Sequence, residues 1–298
     1  MKLPVGIRLL KERYFGEAAR NPWVARNRLA KLSEQLPAPA IPIVSAAVDL
    51  LMDYQDPDYA LLYLDRIERY VGAGSPPADM LVEMARLMSE RMAYEDPIRC
   101  AQLVIQGADD AAATANPPAA DLVRTFTWSQ MVAMLPPNTA QLVLNGLDRL
   151  GWRYRTLTLR FGRRSRLLLT WTRLLAAMRL IRPYSYRFKK ERAWVERWLH
   201  MIDRSEIRQH AAAEEVVETA RLVAGAGPIY QHGLENWDAL INGLVKPVCD
   251  GRLSVPDFAA AVRSARQEVA GQSDISRVKL MIAALVERFS DVALPASR

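Results

Sequence analysis

An all-α fold, a multi-helix array of helical hairpins in two subdomains, is what this sequence predicts, and three observations predict it. A turn signal, Met52-Asp53-Tyr54-Gln55-Asp56-Pro57, returns forty positions later as Met92-Ala93-Tyr94-Glu95-Asp96-Pro97. Apolar residues recur at helical spacing along nearly all of the chain, between Gly and Pro punctuation. Alternation of the kind a strand needs shows only across residues 152–161, in Trp152, Tyr154, Thr156 and Thr158.

Residues 8–36 read as one or two basic helices broken at Asn21-Pro22, and Pro37, Pro39 and Pro42 make a stiff connector. Residues 43–54 and 57–71 form the first helix pair. Asp before Pro is a helix start, because Pro at the first helical position loses no intrahelical hydrogen bond and its φ is already near helical. The Asp caps the free N–H groups of the first turn, worth roughly 1 kcal/mol, and its charge suits the positive helix end. Pro also biases its predecessor away from the helical region, so each previous helix ends near Tyr54 or Tyr94. Ala60, Tyr63, Leu64, Ile67, Tyr70 and Val71 then share one apolar face, and Gly72 stands where the helix stops. Residues 72–77 are a loop in which Ser75 can cap the following helix. Leu81, Met84, Met88 and Met92 line that helix, and residues 97–106 form its shorter partner, stopped by Gly107. For Tyr54, Gln55, Tyr94 and Glu95 two readings stand: capped turns with packed aromatics, or a binding role.

An N-terminal helical subdomain is therefore expected over 1–110, a small-residue linker with Asn116-Pro117-Pro118 over 111–120, and a C-terminal helical subdomain over 121–298. In the latter, 139–150 is a helix ended by Gly151. Leu167, Leu168, Trp171, Leu174, Leu175, Met178 and Ile181 make one amphipathic helix with Arg166 and Arg173 on its far side, ended by Pro183. A long helix runs from Ser185 to His210 and continues towards Ala224, where Gly225-Ala226-Gly227-Pro228 breaks it. Helices near 233–245, 255–270 and 275–290 follow, the second started by a capping box at Ser254 to Asp257 and stopped by Gly271.

The bulk numbers bound the class. With 298 residues, half of them apolar and a quarter charged, the chain has the make-up of a soluble globular protein with a real core. Two cysteines, Cys100 and Cys249, make no disulfide framework and suit small buried residues in a reduced, cytoplasmic setting. Neither a signal peptide nor a membrane-length apolar run is visible. The three histidines, His200, His210 and His232, stand at no metal-ligand spacing, and two thiols cannot hold a four-iron cluster. Neither G-x-G-x-x-G, a Walker loop nor a G-x-S-x-G elbow is present. No catalytic acid, base or nucleophile is nominated.

Charge is concentrated. Residues 151–200 hold fourteen Lys and Arg against two Glu, in a chain whose total is +7, with nine aromatics interleaved. Such a segment can be a solvated helix face over buried rings, a docking surface for an acidic protein or a neighbouring subunit (Arg163, Arg164, Arg166, Arg187, Lys189 and Lys190), or a site for RNA, DNA or an anionic membrane surface. No zinc-finger, KH or RNP signature supports nucleic acid, and Trp194 and Trp198 at i, i+4 point to core packing.

Four segments together resemble one family. They are Asp53-Tyr54-Gln55-Asp56 with Tyr59-Ala60 and Tyr63; Met92 to Asp96 with Ile98-Arg99; Arg182 to Leu199; and Ala220-Arg221-Leu222 followed by His232-Gly233-Leu234-Glu235-Asn236-Trp237. In this order they are similar to the helical C-terminal region, itself without assigned function, of indolepyruvate ferredoxin oxidoreductase beta-subunit-like proteins. The resemblance spans about 45–240. It implies a complex that oxidatively decarboxylates arylpyruvates to acyl-CoA and passes electrons to ferredoxin. It implies no cofactor on this chain alone: thiamine diphosphate and iron–sulfur clusters are expected on the catalytic alpha-type subunit, which with ferredoxin is the expected partner. The gamma-type domain that precedes this region in the family is not seen ahead of it here. The family's G-Y-G-D-T-H segment is also replaced, by Gly225 to Gln231 ahead of His232-Gly233. The expectation is a non-catalytic accessory region; the alternative is a stand-alone helical protein that binds RNA or another polyanion.

Overall fold

A computed structural model describes residues 21–72, 76–114, 121–162, 165–225 and 227–291. The fold is all-α, with one small hairpin, and it divides into two compact units, Met1–Tyr94 and Glu95–Arg298. The division falls inside the second Asp-Pro turn and not at 111–120. The reason lies in the helix that follows.

In the first unit α1 (Pro22–Ser33), α2 (Ala40–Tyr54), α3 (Pro57–Glu68) and α4 (Ala78–Met92) pack together, α2 against all three others. Asn21 caps α1 by accepting the Trp23 N–H at 3.0 Å, and Asp56 caps α3 by accepting the Tyr59 N–H at 2.8 Å. Between these helices Val44, Val48 and Leu51 of α2, Tyr63, Leu64 and Ile67 of α3 and Leu81, Met84 and Met88 of α4 are all buried. The Tyr63 hydroxyl donates to the Ala85 carbonyl at 3.1 Å, which satisfies a phenol whose ionisation burial makes harder. Gly72 has φ +118°, as the expected stop requires. Ser75, the expected cap of α4, lies outside the described residues.

In the second unit α5 runs Pro97–Thr114, through Gly107 and into the segment expected to be a linker. Gly107 has no positive φ, so it ends nothing. It costs about 1 kcal/mol relative to Ala, and the alanines after it are the best helix formers. Two strands follow, β1 (Leu122–Thr127) and β2 (Thr156–Phe161), antiparallel with Leu122 opposite Phe161 and Thr127 opposite Thr156. The alternation at 152–161 is thus strand only from Thr156 on, and its partner β1 carries no such alternation. Two helices fill the connection, α6 (Trp128–Val132) and α7 (Pro137–Arg149), α6 started by a capping box between Thr127 and Gln130. Then α8 (Arg166–Ala177) packs on α5 and β2, burying Leu175 with Phe126, Phe161, Cys100 and Ala101.

The rest of the unit wraps α9 (Tyr186–Arg208). Gln209, at φ −161°, interrupts the helix expected to run on, and α10 (His210–Glu218) turns back along it. The interruption has a use: the Gln209 Oε1 accepts the Ala259 N–H at 3.1 Å. Positive φ at Gly225 and Gly227 lets α11 (Gly227–Leu240) begin, six residues earlier than expected. Pro247 has no N–H to continue an α-helix, and a π-helical turn, Ile241–Val245, precedes α12 (Lys246–Cys249). Finally α13 (Phe258–Val269) and α14 (Ile275–Asp291) pair together. Asp257, not Ser254, caps α13 by accepting the Ala260 N–H at 3.0 Å. Trp198, Trp237 and Phe258 are among the largest fully buried side chains of this unit.

Candidate functional site

The turn residues are structural anchors in both units. Tyr54 is fully buried, edge-on to Tyr94 with ring centroids 5.7 Å apart and stacked on Tyr59 at 6.1 Å. Gln55 is buried and donates to the Asp56 carboxylate at 3.3 Å. The second copy carries more. Asp96 Oδ1 accepts the Arg99 N–H at 2.6 Å, which caps α5, and both Asp96 oxygens accept from Arg182, at 2.9 and 3.0 Å. Arg182 also donates to Gln102 at 3.1 Å, and the Arg182 and Asp96 side chains are 1% and 3% exposed. Glu95 takes Arg124 at 2.9 Å and the Cys100 thiol at 3.3 Å; burial, then Glu95, pushes that thiol's pKa well up. Arg99 is buried. Two of the four motif segments, 92–99 and 182–199, are therefore joined by a buried ion pair.

Segments 182–199 and 220–237 also converge, on a cleft. Its wall on α9 is Tyr186, Arg187, Lys190, Glu191, Trp194 and Arg197, which share one face at helical spacing. Tyr230, Gln231, Leu234 and Asp238 of α11 face them, and Ser129 and Gln130 of α6 with Leu144 of α7 close the end. The cavity is about 270 Å³. The start of α9 is fixed to the loop after α6 by two backbone bonds at 2.9 Å, Tyr186 N–H to Leu135 O and Arg187 N–H to Ala133 O. The Ser129 hydroxyl donates to Gln231 Oε1 at 3.1 Å, tying α6 to α11. Inside, the Tyr230 hydroxyl donates to buried Glu191 at 2.5 Å, and Arg187 lies over the Tyr230 ring at 5.0 Å. Arg197 donates to Asp238 at 2.7 Å and to Asn242 at 2.8 Å.

The six basic residues expected to dock a partner separate. Arg163 and Arg164 lie outside the described residues. Arg187 is buried in the cleft wall, so it is not available to a flat partner surface. Arg166 begins α8 exposed, and Lys189 and Lys190 are exposed on α9. The apolar face of α8 also proves to be two stripes. Leu168, Thr172 and Leu175 turn inward, and Thr172 bridges to the Gly162 N–H and carbonyl at 3.2 and 3.3 Å. Leu167, Trp171 and Leu174, spaced i, i+4, i+7, are 85%, 44% and 59% exposed. Arg166 and Arg173 lie together on the side of this stripe away from the core row, exposed and without an ion pair among the described residues. Of the aromatics in the basic segment, Phe161, Phe188, Trp194 and Trp198 are buried.

His232 stacks on Tyr154, centroids 6.1 Å apart, and the Tyr154 hydroxyl donates to Glu235 at 3.0 Å. Partial burial, then that carboxylate, raises the Tyr154 pKa. Gly233 is a contact glycine: a Cβ there would lie 2.1 Å from the Leu222 carbonyl oxygen. Among the described residues no group of three or more His, Cys, Asp or Glu is placed to hold a metal ion, and no helix is long and apolar enough to cross a membrane.

The cleft residues Gln130, Arg153, Tyr230 and Gln231 carry no sequence motif. What was available in advance is that α9 has a second face beside its core face of Val195, Trp198, Leu199 and Ile202. Both turns, the cleft and the α8 stripe fall within residues 41–243, which match the model of a protein family described as a family of unknown function, DUF6537. No curated protein and no solved structure matches the chain.

Proposed function

The chain belongs to this family of unknown function, and we propose that it serves as a non-catalytic helical docking module of a 2-oxoacid ferredoxin oxidoreductase of the indolepyruvate type. It seats on the subunit that carries thiamine diphosphate and the iron–sulfur clusters. The four-segment resemblance, in register over the span that the family model also covers, supports the choice of complex. The observation that carries docking is the exposed stripe of α8. Leu167, Trp171 and Leu174 form a contiguous apolar row on a helix whose other row already fills the core, with Arg166 and Arg173 along its solvent-side edge. A large aromatic beside aliphatic residues with arginine at the rim is the composition of an interface centre. Its charge calls for a partner face that is apolar in the middle and acidic at the edge.

The row favours a protein over a polyanion because two of its three members, Leu167 and Leu174, are aliphatic and give a base nothing to stack on. Of the nine aromatics of the basic segment four are buried, while Trp152, Tyr154 and Trp171 are exposed. Lys189 and Lys190 are left to steer an acidic ferredoxin, a long-range effect that salt screens.

The test is co-purification of the tagged full chain from its source cell, with the eluate assayed for arylpyruvate- and CoA-dependent viologen reduction. A thiamine- and iron-containing subunit should come down with activity. Trp171→Ala should weaken its retention by about 2 kcal/mol, roughly thirtyfold. Recovery of the chain with no such subunit, or retention that Trp171→Ala and Leu174→Asp leave unchanged, refutes the proposal.

A further inference from the structure

We propose that the cleft between α9 and α11 is a binding site for a small organic anion, a single anionic head on an apolar body. This goes beyond docking and does not depend on it. Size sets the first limit. A cavity of 270 Å³ equals the liquid volume of about nine waters, so the occupant has on the order of ten non-hydrogen atoms.

Charge sets the second. Four cations, Arg153, Arg187, Lys190 and Arg197, line the cleft against two carboxylates, Glu191 and Asp238. Both carboxylates are engaged. Glu191 takes the Tyr230 hydroxyl and faces Arg187 at 3.5 Å, and Asp238 takes Arg197. Arg153 is engaged as well, giving Nη1 to both Asp148 oxygens at 3.0 and 2.8 Å. The surplus therefore rests on Lys190, which lies 4.8 Å over the Tyr186 ring with no carboxylate partner among the described residues. An exposed ammonium beside an apolar cleft is a charge that the anionic head of a bound molecule would pair with.

The walls set the third limit. Ala133, Leu144 and Leu234 join the ring of Trp194 in a lining more apolar than polar, and Gln130 and Gln231 are the neutral groups able to orient a head. A few placed polar groups in an apolar wall are the usual make-up of a small-molecule site.

The probe is phenylacetate, titrated into the purified full chain at low ionic strength and followed by calorimetry and by the fluorescence of the cleft tryptophan. A Kd on the order of 0.1–1 mM is expected for a ligand of this size. Phenylacetamide, which keeps the shape and loses the charge, should bind at least about tenfold more weakly. Phenyl phosphate distinguishes the two head groups, the tighter of the two anions naming the head. Lys190→Gln and Ala193→Trp change exposed positions on the rim, so the fold survives them. The first should weaken anion binding about tenfold and the second should block it. No saturable binding of either anion, equal binding of the amide, or binding that neither variant alters overturns the proposal.

Discussion

Arg182→Met is the sharpest single perturbation of the second unit. The side chain is 1% exposed and makes two bonds to Asp96 and one to Gln102. Removing it leaves a carboxylate at 3% exposure that keeps the Arg99 N–H but has lost its counter-charge. Breaking a buried pair by deleting one partner costs about 3–5 kcal/mol. Asp96→Asn should cost a similar amount, because it strands the guanidinium while an amide oxygen still caps α5. Asp96→Ala should add about 1 kcal/mol for the lost cap. The double variant Arg182→Met/Asp96→Asn carries neither charge, so it should fall at least about 2 kcal/mol short of the sum of the singles. Urea unfolding followed by tryptophan fluorescence reads the right unit, since every tryptophan except Trp23 lies at or beyond Trp128. With a slope of about 2–3 kcal/mol per molar, Arg182→Met should lower the midpoint by about 1–2 M. A loss under about 1 kcal/mol, or additive singles, would refute the assignment of this pair as a buried, coupled link.

Three more outcomes follow from the geometry. Gly233→Ala should destabilise the second unit by about 2 kcal/mol or more, because its methyl would meet the Leu222 carbonyl, which is backbone and cannot swing aside; a thermal melt unchanged from the parent would contradict that contact. Both cysteines are buried, and burial raises both thiol pKa values, so a disulfide reagent at pH 8 should label neither in the native chain and both in urea. The hydrogen bond to Glu206, then its charge, holds the His210 imidazole above its ordinary range. A value raised by folding means stability present below about pH 6.5 and lost as pH rises through the folded value. Proton NMR should show His210 titrating lower in Glu206→Gln than in the parent.

The helices were legible where a start signal and a long period coincided. Asn21-Pro22 and Asp56-Pro57 give the starts of α1 and α3, and Met84, Met88 and Met92 give the buried face of α4. What misled was composition without geometry. Gly107 and the alanines after it resemble a linker, yet glycine stops a helix only where φ turns positive, as at Gly72, Gly151 and Gly225. Strand β1 was missed because it is short and only Phe126 and Thr127 of it are buried, so it carries no alternation to read. The face of α8 was read as one stripe because a hydrophobic pattern reports only that a side chain is apolar. Whether Leu167 and Leu174 meet core or solvent depends on what α5 and β2 can cover, and α5 (Pro97–Thr114) lies far back along the chain, outside any window in which the pattern is read.

The two Asp-Pro turns make the same point about the site. Locally they are equivalent: each aspartate accepts the N–H three residues on and starts a helix. Only Asp96 also receives an arginine, from 86 positions along the chain. That single difference turns a helix cap into the anchor that fixes where the 182–199 segment begins. From Arg182 the chain makes one short 3-10 turn to Ser185, whose hydroxyl accepts the Phe188 N–H at 3.1 Å and starts α9. The angular setting of α9 then decides which of its faces meets Trp237 and which opens on the cleft. A repeat in sequence thus marks where helices begin, while the chemistry of the cleft depends on the one copy that acquired a long-range partner. Loosening Arg182 should accordingly disturb anion binding in the cleft before it unfolds the unit, a coupling that the phenylacetate titration would register in Arg182→Lys, which keeps the charge and loses the bidentate fork.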